Sequence, residues 1–417
     1  MSALAKILHE SGKKVAGCDR AEGEYTQMLR EIGVEVAIGD GEPDGFSAVI
    51  YTDALSDNDR TLIKARRLGI PLISRGKLLS ELTKTFKNTI AVAGCHGKTT
   101  CTAMIAHIFD AARLSFSSHI GGYDGVFSNG YLGGYDYFIT EACEYKRNFL
   151  YLKPSVAVVL NTDADHLDCY GTAERLKEAY KTFAVGAGEV VALYGDMDDC
   201  DCITFGFDDR AAYYAKRIRS SSGRFYFDLY EYGNNLGTVK LSVYGKHNVL
   251  NALAAAAVAR RYGVDFEDIA KGLGAFRGVR RRFENIGEYN GATCIADYAH
   301  HPNEIKAAIK AARLITEESL YVVFQPHTYS RTKNFFKKFV LTLSPLKKLL
   351  VYKTYAAREY YDNAGSALTL AGSIKKSVYG DCETDIENFL RGAGEGDVVL
   401  FLGAGDIYEI AKTLVAR

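Results

Sequence analysis

The chain has 417 residues, 47% hydrophobic and 24% charged, which is enough material for several buried cores. Its 51 basic and 51 acidic residues cancel, arguing against a nucleic-acid or anionic-membrane surface. No apolar run approaches bilayer length, and the first residues lack the charged-then-apolar layout of a signal peptide. Nine scattered cysteines read as reduced thiols of a cytoplasmic protein. Cys200 and Cys202 have no second pair nearby and read as a turn beside a strand rather than a metal site.

Three sections separate by pattern. From 1 to 87, a helix over Ala3 to Ser11 precedes a strand ending in Asp19. A helix near Tyr25 to Ile32, strands at Val34 to Ile38 and Ala48 to Tyr51, a helix over Asp57 to Leu68, and Pro71 to Ile73 follow. This alternation predicts a parallel, doubly wound sheet, with Asp19 where such folds often hold a ribose hydroxyl. The chain starts inside the first helix, so the sheet is expected to lack its central strand and the Gly-rich turn after it.

From 88 to 284, the run Thr89 to Ala93 enters a Gly-rich turn, Gly94-Cys95-His96-Gly97-Lys98-Thr99-Thr100, and a helix is predicted from Thr99 to Arg113. Glycines let backbone N–H groups converge on phosphate, the helix N-terminus favours anions, and Lys98 adds a positive charge. Thr99 or Thr100 supplies a hydroxyl for Mg²⁺. The usual first glycine, six residues before the lysine, is replaced by Val92, so the loop is a shortened ATP cradle. A strand at Tyr137 to Thr140 leads to Glu141, a candidate Mg²⁺ carboxylate, although a lone acid there also serves as a helix cap. A second strand, Val156 to Leu160, leads to the Asn161–Asp168 cluster, where His166 or Asp165 could reach a divalent ion. Asn248 or Asn251, on a helix over Asn248 to Tyr262, could read a purine edge or simply cap the helix. Arg280-Arg281-Arg282 suits closure onto a transferring phosphoryl group, or is a solvated basic turn.

From 285 to 417, apolar runs at Leu320 to Phe324, Leu349 to Tyr352 and Val398 to Leu402 read as buried parallel strands. Asp297-Tyr-Ala-His300-His301-Pro-Asn-Glu304 and Gln325-Pro-His327-Thr-Tyr-Ser-Arg331 each follow an apolar run. Two such loops at equivalent strand ends point to a site for a small anion or amine.

The stretches AVAGCHGKTT (91–100), EACEY (141–145), NTDADHLDCYG (161–171), GKHNVLNALAA (245–255), GVRRRF (278–283), DYAHHPNEIKAAIKAAR (297–313), FQPHTYSRTK (324–333) and LFLGAGDI (400–407) together resemble the Mur ligase family over essentially the whole chain. The 297–333 block resembles its alanine-adding branch. The resemblance implies an α/β protein of three domains: a Rossmann-like UDP-sugar domain (1–87) lacking its first strand and Gly-rich turn, a central P-loop ATPase (88–284) with a mainly parallel sheet, and a Rossmann-like amino-acid domain (285–417). It implies ATP and Mg²⁺, and UDP-N-acetylmuramate and L-alanine as substrates joined through an acyl phosphate. It implies a monomer or homodimer.

By motif, residues 94–100 hold ATP, with Lys98 on the β- and γ-phosphates, while Thr99, Glu141 and His166 organise Mg²⁺. Asn248 contacts adenine, Asp297 the nucleotide, and Arg281 phosphate across a hinge; Asp19 is a substrate contact. His300, His301, His327 and Arg331 surround alanine and the acyl phosphate. Relatives often have Asp at the Cys143 position and Arg at that of Thr328. The missing turn predicts weak binding of the muramyl nucleotide. A peptide-recycling ligase and a silent nucleotide-binding relative are the alternatives. Lys181 matches the offset of a carbamylated lysine in other branches, but reads here as a solvated helix residue.

Overall fold

The computed structural model describes residues 1–416 except 54, 164–166, 198–199, 222, 317 and 358. The chain divides into two compact units. The first comprises 1–218, 227–240 and 249–277, and the second 219–226, 241–248 and 278–417.

The first 87 residues alternate as expected through helix Ser2–Glu10, strand Ala16–Asp19, helix Glu24–Glu31, strands Glu35–Ile38 and Val49–Tyr51, helix Arg60–Arg67 and strand Leu72–Ser74; a further helix, Arg75–Thr83, was not expected. The strands do not form one sheet, however. Ala16–Asp19 pairs in parallel with Glu35–Ile38, and Val49–Tyr51 with Leu72–Ser74, giving two separate ribbons. Each pair keeps its own register, with no described strand between to bond both. The sections 1–87 and 88–284 also share one core. Leu4, Ile7, Leu79 and Phe86 pack in the same cluster as Phe138, Phe149 and Phe183.

The central sheet has ten strands. Asn88–Ala93 lies between Tyr137–Glu141 and Val156–Val159, parallel to both. Their runs are almost wholly buried, which is why they read as mainly apolar stretches, without alternation in Val156–Val159. Phe116–Asp124 runs parallel to Tyr137–Glu141 on the far side, edged by antiparallel Ser128–Leu132. Helix Lys98–Ala111 is buried nearly all round, lying beneath helix Phe266–Ala275: a Cβ on Gly272 would fall 2.5 Å from the Ile108 Cα.

In the second unit, six strands take the order Glu284–Tyr289, Ala292–Asp297, Val398–Leu402, Leu320–Phe324, Lys348–Tyr352, Ser377–Gly380. All pairs are parallel except the first. The C-terminal ends of Ala292–Asp297, Val398–Leu402 and Leu320–Phe324 are therefore neighbours, and the loops leaving them meet at one sheet edge. No described helix is long and apolar enough to cross a membrane.

Candidate active site

The strand Asn88–Ala93 hands over to helix Lys98–Ala111 through four residues, and both glycines in them are required. Gly94 has φ +137°, and a Cβ there would lie 3.0 Å from Leu160 Cβ. Gly97 has φ +88°, and its Cβ would lie 2.5 Å from the Asn251 side-chain oxygen. Both positions need positive φ and close approach together, which only glycine provides.

Loop 161–163 clamps this turn. The His96 N–H donates to Asn161 Oδ1 at 3.1 Å, and Asn161 Nδ2 donates back to the His96 carbonyl at 2.9 Å. The Cys95 thiol donates to the Asp163 carbonyl, and Thr162 is held by Asp196, with N···Oδ2 2.9 Å. His166 and Asp165 lie outside the described residues.

Lys98 is buried in the cradle. Its Nζ donates to the Gly94 carbonyl at 2.5 Å and to Glu144 Oε1 at 2.9 Å. The lysine side chain is 16% exposed and that of Glu144 1%. Burial alone would push the ammonium pKa down, but the Glu144 carboxylate reverses this and holds it above its ordinary value. The lysine's counter-charge is thus Glu144, a residue the sequence reading did not single out; Glu141 was expected to serve Mg²⁺ instead. Glu141 sits half-buried at the strand end and accepts the Gly121 N–H at 2.5 Å. Thr99 is buried in the first helical turn and Thr100 half-buried.

Asn251, not Asn248, has its side chain against the P-loop through Gly97. Asn248 Nδ2 instead donates to the Tyr244 carbonyl at 2.7 Å, where it secures the start of helix His247–Arg261. Asp19 is exposed at the end of its strand, accepting the Ala21 N–H at 3.5 Å. Lys181 lies half-buried on helix Ala173–Val185.

In the second unit, Asp297 is half-buried at the end of its strand. Its carboxylate accepts the N–H groups of Ala299 at 2.7 Å and Phe283 at 2.8 Å. Burial outweighs Arg282 and these donors, pushing its pKa up to about 6. Arg281 donates to the Gly405 carbonyl at 2.6 Å and lies between the Tyr298 and Tyr408 rings, 5.0 and 5.1 Å from their centroids.

His300 and His327 face each other with centroids 5.7 Å apart, and His327 stacks on Tyr355. Burial lowers both pKa values, that of His327 to about 4, and the Arg331 guanidinium lowers both further. Both imidazoles are therefore neutral at pH 7. His300 Nδ1 lies 2.9 Å from the Tyr298 carbonyl, so it carries the hydrogen and Nε2 keeps the lone pair. His301 takes a structural place. It is 2% exposed, packs edge-on against Phe335 at 4.8 Å and accepts the Asn303 N–H as the helix cap.

Glu304 and Gln325 are organisers that sequence reasoning did not single out. Glu304 Oε2 accepts the N–H groups of His300 at 3.1 Å and His301 at 3.2 Å. Buried Gln325 donates to Asp406 at 2.6 Å and accepts from Ile407 N–H, tying the His327 loop to the 403–407 turn. A capping-box spacing from His301 to Glu304 was visible in the sequence; the Gln325 contact, 81 residues away, was not.

Residues 1–87 match the Mur ligase family catalytic domain, 92–259 the Mur ligase middle domain, and 281–405 the Mur ligase glutamate ligase domain. The UDP-N-acetylmuramate–L-alanine ligase of Clostridium beijerinckii is 37% identical over 99% of this chain and 94% of its own. The chain belongs to the Mur ligase family. The corresponding ligase of Clostridium acetobutylicum is 38% identical, covering 100% of this chain and 95% of its own. Among solved structures, the UDP-N-acetylmuramate–alanine ligase of Thermotoga maritima superposes with TM-score 0.87 at 28% identity, over 100% of this chain and 96% of that one. A murein peptide ligase from Psychrobacter arcticus shares the fold, with TM-score 0.76 at 23% identity.

Proposed function

We propose that this Mur ligase is an ATP-dependent enzyme joining L-alanine to the lactyl carboxylate of UDP-N-acetylmuramate, for cytoplasmic peptidoglycan precursor synthesis. The observation that carries the reading is the glycine-lined cradle around Lys98, within a chain that matches an alanine ligase over 99% of its length.

The reaction has two displacements. A lactyl carboxylate oxygen attacks the γ-phosphorus, the bond to ADP breaks, and an acyl phosphate forms. The alanine amine then attacks the acyl carbon, and inorganic phosphate leaves as the amide forms. Catalysis in the first step is positioning plus charge stabilisation by Lys98 and backbone N–H groups. Thr99 and Glu141, with His166 by family resemblance, would hold Mg²⁺, which neutralises charge on the phosphate oxygens. In the second step the amine must shed a proton, and the neutral Nε2 of His300 has a lone pair to take it. The unpartnered Nη1 of Arg331 offers a donor for an anionic oxygen in the same cluster.

The test is phosphate release by the full chain. Release that needs ATP, UDP-N-acetylmuramate and L-alanine together is expected. Release that needs a tripeptide instead of alanine, or none at all, refutes the reading.

A further inference from the structure

Arg75 opens the last helix of the 1–87 section, and its backbone is fixed there. A Cβ on the following Gly76 would lie 2.3 Å from the Asn148 side-chain oxygen, and Ser80 Oγ donates to the Tyr151 carbonyl at 2.7 Å. Among the described residues no carboxylate pairs with the Arg75 guanidinium. Its one hydrogen-bonded side chain among them is His119, with Nη2···Nε2 3.2 Å.

A positive donor facing a histidine needs a neutral ring with its lone pair on Nε2, and the surroundings provide it. The Thr140 hydroxyl donates to the Glu141 carbonyl at 3.1 Å, leaving its oxygen to accept from His119 Nδ1 at 2.9 Å. Nδ1 therefore carries the hydrogen and Nε2 accepts from Arg75. His119 is buried, and burial together with the Arg75 charge keeps it neutral. The result is an aimed guanidinium whose charge is left uncompensated.

Its location is informative. His119 pairs in register with Thr140, one residue before Glu141. Arg75 thus sits on the strand-end edge beside the ATP cradle, delivered by the section expected to hold the sugar nucleotide.

Resting on the proposed ligase activity, we propose that Arg75 binds an anionic group of the sugar nucleotide, with His119 as the positioning residue that aims it. The shared chemistry is an oxyanion, either the lactyl carboxylate or the diphosphate.

The experiment is calorimetric titration and steady-state kinetics on the full chain with R75A, R75K, H119A and H119Q. R75A is expected to weaken UDP-N-acetylmuramate binding roughly 10- to 100-fold, the range for losing a charge-assisted hydrogen bond, while ATP affinity stays within about twofold. H119A raises KM for the sugar nucleotide, and H119Q, whose amide oxygen still accepts from Arg75, recovers most of it. Titration with UDP-N-acetylglucosamine, which lacks the carboxylate, separates the sources: equal weakening by R75A assigns the diphosphate, and no weakening assigns the carboxylate. Unchanged binding of both nucleotides to R75A overturns the assignment, as does H119A lowering ATP and sugar-nucleotide affinity alike. A wild-type chain that binds the nucleotide without ligating overturns the functional reading instead.

Discussion

Replacing Glu144 by glutamine keeps the shape of the Lys98 pocket and removes its counter-charge. At 2.9 Å and an effective dielectric of about 20, the attraction lost is about 6 kcal/mol. Part of it is offset because one buried ion no longer has to be desolvated. Removing one partner of a buried pair typically costs about 3–5 kcal/mol, and the amide oxygen still accepts one Lys98 hydrogen, so the expected loss is about 3 kcal/mol. That should lower the thermal midpoint by roughly 5–10 °C. The raised Lys98 pKa means the pair's contribution is fully present below pH 10.5 and fades only as pH rises through the higher folded value, so the difference should be flat across neutral pH. A nucleoside triphosphate supplies the missing negative charge. ATP with Mg²⁺ should therefore raise the midpoint of E144Q by more than that of the wild type. The assay is thermal unfolding of both proteins with and without nucleotide. A ligand-free E144Q within about 0.5 kcal/mol of the wild type, or equal nucleotide stabilisation of the two, refutes the assignment of Glu144 as the lysine's counter-ion.

Gly97→Ala forces positive φ on alanine and drives its Cβ into Asn251, so ATP binding should weaken by about 2 kcal/mol with little change elsewhere, measured by titration. Asp297 and His327 predict opposite pH slopes in denaturant unfolding. The Asp297 pKa, raised from 3.8 to about 6, gives stability present below pH 3.8 and lost as pH rises through 6, roughly 3 kcal/mol in all. D297N should flatten that decline. The His327 pKa, lowered from 6.5 to about 4, gives stability present above pH 6.5 and lost as pH falls through 4, and H327Q should remove that loss. Unchanged profiles would contradict both assignments.

What the sequence made legible was local. Strands such as Val156–Val159 announced themselves because burial on both faces demands an unbroken apolar run. The P-loop did so because glycine, lysine and threonine each answer one requirement of phosphate binding within seven residues. What stayed hidden depends on tertiary geometry. Glu141 and Glu144 stand three apart in one motif, and only the turn after the strand, followed by positive φ at Lys146 and Arg147, decides which carboxylate reaches Lys98. Asn248 and Asn251 pose the same problem on a helix, where both lie on one face and packing against Gly97 selects the second.

His301 shows how a motif overstates itself. Two adjacent histidines look equivalent in sequence, yet one residue's rotation turns the second ring into the core, where it caps the helix and packs on Phe335. Arg75 and His119 lie 44 residues apart in separate sections, each unremarkable alone. Their meaning comes from subtraction: a half-buried guanidinium with no described carboxylate beside it is free to take an anion, and its hydrogen-bonded side chain is a neutral acceptor. The charge Lys98 holds is already matched inside the protein and must be redirected by nucleotide. The charge on Arg75 is left for the substrate to match. The two cations therefore respond differently to added salt. Chloride should compete for Arg75 and weaken sugar-nucleotide binding, while the buried Lys98–Glu144 pair is screened much less.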